Sequence, residues 1–210
     1  MPVPAAALTC LVRDRTRLGA PPYVPEVRLY LAEEVFGLWE RSGALPYWAF
    51  AWAGGLGLAR HVLDHPGIVR GRTVLDVASG SGLVAIAAAL AGAAQVTASD
   101  VDPAAVAAIA VNAAANGVAV RVAGDVLDGC GEGAQVVLAG DVFYEAPMAA
   151  RVRPFLERAA GRGADVLVGD PGRAYLPGSG LTRVAAYRVP VLAVLEDAGT
   201  KQVTVWRVGG

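Results

Sequence analysis

From Gly71 onward the chain alternates short apolar runs with longer stretches rich in alanine and leucine. Continuous apolar runs of about five residues bounded by turn residues read as buried strands, and the longer stretches read as helices. The pattern predicts strand Thr73–Val77 and helix Leu83–Ala91, then strand Gln95–Ser99 and helix Pro103–Asn116. Asp102 is the expected N-cap of that second helix, with Pro103 at its first position. Strand Val118–Val122 leads to Asp125, and strand Gln135–Ala139 to helix Pro147–Ala160. Strand Asp165–Val168 runs into Asp170-Pro171-Gly172. Two closing strands, around Val184–Val194 and Gln202–Val208, have no helix of convincing length between them and can pair antiparallel at one edge. Such alternation implies an α/β fold, a mostly parallel sheet with helices on both faces.

Before Gly71 the pattern is weaker. Residues Met1–Pro22 carry no firm signal. Val24–Tyr30 reads as extended, and Ala32–Glu40 as a short helix with Val35, Phe36 and Trp39 on its apolar side. Pro46–Gly55 is an aromatic cluster ending in a glycine pair, after which a helix is expected from about Leu56 to Leu63. The organisation is an N-terminal segment, 1–70, with short helices and the aromatic cluster, followed by a core over 71–210. A chain of 210 residues suits a single domain overall.

The stretch Val74–Leu83 carries the chemistry. An apolar strand holding the acid Asp76 gives way to a Ser79-Gly80-Ser81-Gly82 turn and a helix start. Glycines there let backbone approach a ligand, and free N–H groups at the helix start point into the same space. A carboxylate in a buried strand is costly unless something pairs with it. The reading is a cradle for S-adenosylmethionine, with Asp76 near its ammonium end and Asp100, at the end of the next strand, on ribose hydroxyls. Gly80-x-Gly82-x-x-Ala85 also fits a dinucleotide fingerprint. Against that, Asp76 repels a pyrophosphate, Asp125 follows the third strand where an adenine amino group can be bonded, and Asp141–Glu145 has no part in a dehydrogenase.

Asp141-Val142-Phe143-Tyr144-Glu145 stands at the mouth of the predicted sheet, where acids flanking aromatics can orient an amine nucleophile or carry its proton. Trp52 is read as a wall against the methionine part of the cofactor, and Trp48, with Tyr144, as a ring against which the acceptor amine is buried. Asn112 and Asn116 are read as surface polar positions, the second capping a helix end. His61 and His65 sit four apart but lack a third ligand, and are read as exposed.

Net charge −1 gives no electrostatic case for nucleic acid or an anionic membrane. Cys10 and Cys130 show no metal-ligand spacing and are read as free thiols. The first residues lack the basic region of a secretory signal, and Leu83–Ala94 is too short to span a bilayer, so a cytoplasmic protein is expected. Lys201 is the single lysine.

Leu75–Gly82 (LDVASGSG), the acids of SDVDP and GDV, and their order resemble class I S-adenosylmethionine-dependent methyltransferases. PYWAFAWAGG, DVFYE and VGDPGR narrow the resemblance to the protein-lysine methyltransferases that act on the electron transfer flavoprotein β subunit. It runs from about Val24 to Val208, and bacterial relatives of this group are often labelled nicotinamide N-methylase-like. The resemblance implies a seven-strand Rossmann-like sheet with its last strand antiparallel. It implies that Asp76, Gly80, Gly82, Asp100 and Asp125 hold S-adenosylmethionine, Ser79 serving through its backbone. It also implies that Asp141, with Tyr144 and Glu145, faces the acceptor, a lysine of a protein such as the flavoprotein subunit. Methylation of a small amine, and cofactor binding without catalysis, are the alternatives.

Overall fold

The computed structural model describes residues 4–33, 45–129, 131, 133–191 and 199–209. The helix expected over Ala32–Glu40 lies, from residue 34 on, outside the described residues, as does Cys130. Strands β1 (Arg17–Gly19) and β2 (Leu29–Leu31) form a small antiparallel hairpin. The main sheet holds β3 (Thr73–Val77), β4 (Gln95–Ser99), β5 (Arg121–Ala123), β6 (Val136–Gly140), β7 (Asp165–Asp170), β8 (Leu181–Pro190) and β9 (Thr200–Val208). Helices α1 (Ala5–Arg15), α2 (Ala53–Asp64), α3 (Leu83–Leu90), α4 (Pro103–Ala115) and α5 (Ala146–Gly161) surround it. The strand order is β5-β4-β3-β6-β7-β9-β8, and only β9 runs against its neighbours. The seven-strand sheet and its antiparallel closing strand are as expected.

The central strands are buried on both faces, which is why they read as unbroken apolar runs. Val74, Val136 and Leu138 face one core cluster with α2 and α3, while Leu75, Val77 and Val137 face the other with Phe155 and Leu156 of α5. The first cluster also contains Val27, Leu29, Leu56 and Leu58, so residues on both sides of Gly71 share one core.

Four elements differ from the sequence pattern. A helix, α1, forms within Met1–Pro22, burying Val12 against Ala105, Ala108 and Val111 of α4. Its apolar residues bunch in Ala5–Val12 and form no clear stripe to read alone. Helix α2 begins at Ala53, three residues before the expected start, and takes in the glycine pair. Glycine is a poor helix former, but here tertiary contact demands it. A Cβ on Gly54 would lie 2.2 Å from the Gly169 carbonyl, and one on Gly140 would lie 2.8 Å from Gly55 Cα. The start of α2 therefore rests backbone-to-backbone on the ends of β6 and β7. Strand β5 is short, pairing with β4 only at Arg121–Ala123. Only Leu29 and Tyr30 of the expected extended segment fall in a strand, β2.

Two polar readings are also corrected. Asn112 is fully buried: its Oδ1 accepts from Tyr30 N at 2.8 Å and its Nδ2 donates to Ser81 O at 2.8 Å. Asn116 caps α4 as expected, and also takes the N–H and carbonyl of Arg28, pinning the hairpin to α4. His61 is buried, with Nδ1 2.9 Å from the Tyr187 hydroxyl, and only His65 is exposed. Among the described residues no helix is long and apolar enough to cross a membrane, and no His/Cys/Asp/Glu cluster could hold a metal.

Candidate functional site

Strand order reverses between β3 and β6, and the crevice beyond their carboxyl ends is where open α/β sheets bind ligands. The turn after β3 is tightly wound. Ala78, Gly80 and Gly82 all have positive φ, at 52°, 55° and 85°. Glycine does this freely, whereas Ala78 is strained by about 1 kcal/mol. Ser79 N donates to Ser99 O, and Gly82 N closes back on Ser79 O. Gly82 is the N-cap of α3 and packs on Ile109.

Two acids brace this turn. Asp76 Oδ2 accepts from the Ser79 hydroxyl and from Ala85 N at 3.1 Å. Asp76 is 1% exposed. Burial pushes its carboxyl up to about 7, against the opposing hydrogen bonds of Ser79 and Ala85. No basic side chain pairs with it among the described residues. Asp100 Oδ2 accepts from Gly80 N at 2.8 Å and its Oδ1 from Asp102 N at 3.0 Å. Burial raises Asp100 too. Asp102 caps α4, accepting from Ala104 N, as expected. Asp125 sits further out, bonded to Leu127 N and to Arg151 at 2.8 Å, and the Leu127 and Arg151 bonds hold its carboxyl low.

The other end of the crevice is aromatic and acidic. Asp141 follows β6 with φ 56°, a strained conformation for a non-glycine residue. Its Oδ2 accepts from Gly55 N at the start of α2 (3.0 Å), and its Oδ1 receives both Nε and Nη2 of Arg173, at 2.8 and 2.6 Å. Arg173 is aimed by its own turn: Asp170 Oδ1 accepts from Gly172 N and Arg173 N. The guanidinium lies 5.9 Å from the Trp52 ring centroid. Tyr47 packs between Trp52 and Tyr144, with ring centroids 5.6 and 5.1 Å away. Trp52 Nε1 donates to the Tyr47 carbonyl. Burial, then the neighbouring Glu145, push the Tyr144 phenol up to about 12.

These parts border one cavity of about 460 Å³. Of the expected site residues, Trp52, Asp76, Ser79, Gly80, Asp100, Asp125, Asp141, Tyr144 and Glu145 line it, and Gly82 stands one step behind. Trp48 is buried and also borders the cavity. The donor set suits S-adenosylmethionine. A buried carboxylate without a basic partner, Asp76, is what a cationic ligand would complete. Arg173 lies in the turn after β7, and the sequence pattern did not single it out. The Asp-Pro-Gly signature of a side-chain-bonded turn was the available signal. Asn112, which holds the Ser81 carbonyl from behind, had none.

The family model for ribosomal protein L11 methyltransferase (PrmA) matches residues 61–140. The electron transfer flavoprotein beta subunit lysine methyltransferase of Xenopus laevis is 35% identical over 207 residues, covering 93% of this chain and 84% of its own. The Homo sapiens protein of the same name is 35% identical over 199 residues, covering 87% and 74%. Among solved structures, ribosomal protein L11 methylase from Lactobacillus delbrueckii subsp. bulgaricus superposes with TM-score 0.51 at 20% identity, covering 73% of this chain and 77% of that one. Magnesium protoporphyrin IX methyltransferase from Synechocystis PCC 6803, with bound SAM, gives TM-score 0.54 at 16% identity, covering 72% and 78%.

Proposed function

The chain belongs to the electron transfer flavoprotein beta subunit lysine methyltransferase family, within the class I S-adenosylmethionine-dependent methyltransferases, and from that premise we propose that it methylates the side-chain amine of a lysine on a protein. The electron transfer flavoprotein beta subunit is the first candidate acceptor. One observation carries the choice of a protein lysine over a small amine. The recess of Tyr47, Trp52 and Tyr144 beside Asp141 and Glu145 opens outward, with Tyr47 44% and Val101 63% exposed at the cavity. A narrow, closed pocket would suit a small amine, whereas an open aromatic recess suits a side chain presented on a surface. We also read 1–70 and 71–210 as one domain, on their shared core.

S-adenosylmethionine supplies a methyl group already activated by its sulfonium. Asp76, Ser79, Gly80, Gly82 and Asp100 would hold it on the turn side, Asp125 further out, and Trp52 against its methionine part. The remaining work is to align the amine and exclude water, and alignment alone can contribute about 7–11 kcal/mol. Free lysine has a pKa of about 10.4, and burial of its end among the aromatic rings lowers it toward the neutral form. The Tyr144 phenol stays protonated, since its pKa lies near 12. Its oxygen can accept one N–H of the amine and leave the lone pair free. Glu145, exposed at the rim, can take the released proton to solvent.

Mass spectrometry of recombinant flavoprotein beta subunit, incubated with the enzyme and S-adenosylmethionine, tests the reading. A gain in steps of one methyl on a lysine peptide, lost with Tyr144→Ala, is the expected result. No gain, with cofactor binding intact by calorimetry, rejects that acceptor.

A further inference from the structure

We propose that Arg173 is a positioning residue that balances the charge of Asp141, so that the recess takes up its acceptor as a neutral amine and not as an ammonium ion. The inference deepens the acceptor reading above and rests on it. Methyl transfer needs a nitrogen lone pair, yet a carboxylate borders the place where the amine must lie. An unopposed carboxylate about 4–6 Å away would raise an amine pKa by about 1–3 units. At neutral pH that removes about nine-tenths or more of whatever neutral amine is present.

The geometry supplies the opposing charge. Both Nε and Nη2 of Arg173 converge on Asp141 Oδ1, at 2.8 and 2.6 Å. The second oxygen faces Gly55 N at the positive end of α2. Asp141 is buried at 8% exposure and the Arg173 side chain is 20% exposed, so water screens the pair only partly. Arg173 is itself anchored, because its N–H is held by the buried Asp170. The guanidinium also stacks toward Trp52, inside the recess.

Other charged groups border the same cavity. Beyond Asp141 these are the acids Asp76, Asp100, Asp102, Asp125 and Glu145, of which Asp125 is paired with Arg151, while Tyr47 and Tyr144 are neutral phenols near pH 7. Glu145 is exposed and Asp100 is taken up by two backbone N–H groups. The Arg173 field reaches across the recess: at Tyr47, burial raises the phenol first, Glu145 adds to it and Arg173 opposes it.

The test compares wild type, Arg173→Gln and Arg173→Lys in two measurements. The first is the pH profile of kcat with the flavoprotein beta subunit at saturating concentration, which reports groups that titrate in the enzyme–acceptor complex. Arg173→Gln is expected to move the acidic limb up by about one pH unit, with rates converging on wild type at high pH. Arg173→Lys should fall between. The second is calorimetric binding of n-butylammonium to the S-adenosylhomocysteine complex, which needs no turnover. Arg173→Gln should bind the cation about tenfold tighter, with S-adenosylhomocysteine affinity within about twofold. A uniform rate loss at all pH values, or unchanged butylammonium affinity, overturns the proposal. If wild type methylates no lysine, the acceptor reading falls, and the butylammonium measurement still decides the role of Arg173.

Discussion

Gly54 and Gly169 stand so close that a methyl group on either would lie 2.2 Å from the carbonyl oxygen of the other. Helix α2 thereby sits directly on the end of β7, and the Gly55 N–H at its start reaches Asp141. Neither position has room for a side chain. Gly54→Ala and Gly169→Ala are each expected to cost about 3 kcal/mol or more by forcing helix and strand apart. Gly161→Ala, at the end of α5 with open space around it, should be neutral or stabilise by about 0.5 kcal/mol. Urea unfolding of the three variants checks the contrast.

Asp76 makes cofactor binding depend on pH. Its carboxyl is raised from 3.8 to about 7, so near neutrality the free protein still holds its proton. A cationic ligand favours the ionised form, so affinity for S-adenosylmethionine should rise between about pH 6 and 8, and binding should release part of a proton at pH 7. Calorimetry in buffers of different ionisation enthalpy measures that release. Asp76→Asn should bind weakly at every pH, with this dependence gone.

The same group sets a stability slope in the ligand-free protein. Between 3.8 and about 7 the folded state keeps a proton that the unfolded state has lost. The stabilisation is therefore complete below the lower value and is lost as pH rises through the upper one, by up to about 1.4 kcal/mol per pH unit within the window. Wild type should lose stability relative to Asp76→Asn from pH 5 to pH 7, as read by denaturant midpoints.

Asn112 satisfies two backbone groups at once, Tyr30 N and Ser81 O. Asn112→Ala leaves both without this partner, and a cost of about 2–4 kcal/mol is expected. Because Ser81 belongs to the cofactor turn, affinity for S-adenosylmethionine should drop with it. Asn112→Asp, which buries a carboxyl group against the Ser81 carbonyl, should cost at least as much.

Tyr47 is the outermost ring of the recess, and its carbonyl, not its phenol, holds the Trp52 indole. Tyr47→Ala should therefore raise the KM for a protein acceptor by about tenfold, the loss of one aromatic contact of about 1.4 kcal/mol, while cofactor affinity stays near wild type. Steady-state kinetics varying each substrate in turn separates the two. A matching loss of cofactor affinity would mean that Tyr47 belongs to the other half of the site.

Much of this architecture was legible because it is local. Thr73–Val77 and Gln95–Ser99 match their expected bounds, since each is a short run with buried apolar positions that turn residues cut off. Asp102-Pro103 announces α4 because a cap needs one oxygen and a first helical residue needs no N–H. The acids at the ends of β3, β4, β5 and β6 were also legible, for a carboxylate at the end of an apolar strand has few purely structural uses.

Residue types and their spacing thus determined the α/β alternation, the cradle and the set of acids around it. Tertiary structure alone decided what those acids touch. Gly54 and Gly55 read as the boundary before a helix until Gly140 and Gly169 are brought beneath them. Asn112 reads as surface until the hairpin of β1 and β2 covers it. Asp141 and Arg173 lie 32 positions apart and meet only because β6 and β7 are neighbours in the sheet. Periodicity records which face of an element is buried, but the identity of a partner across the sheet depends on strand order, and no local pattern encodes that.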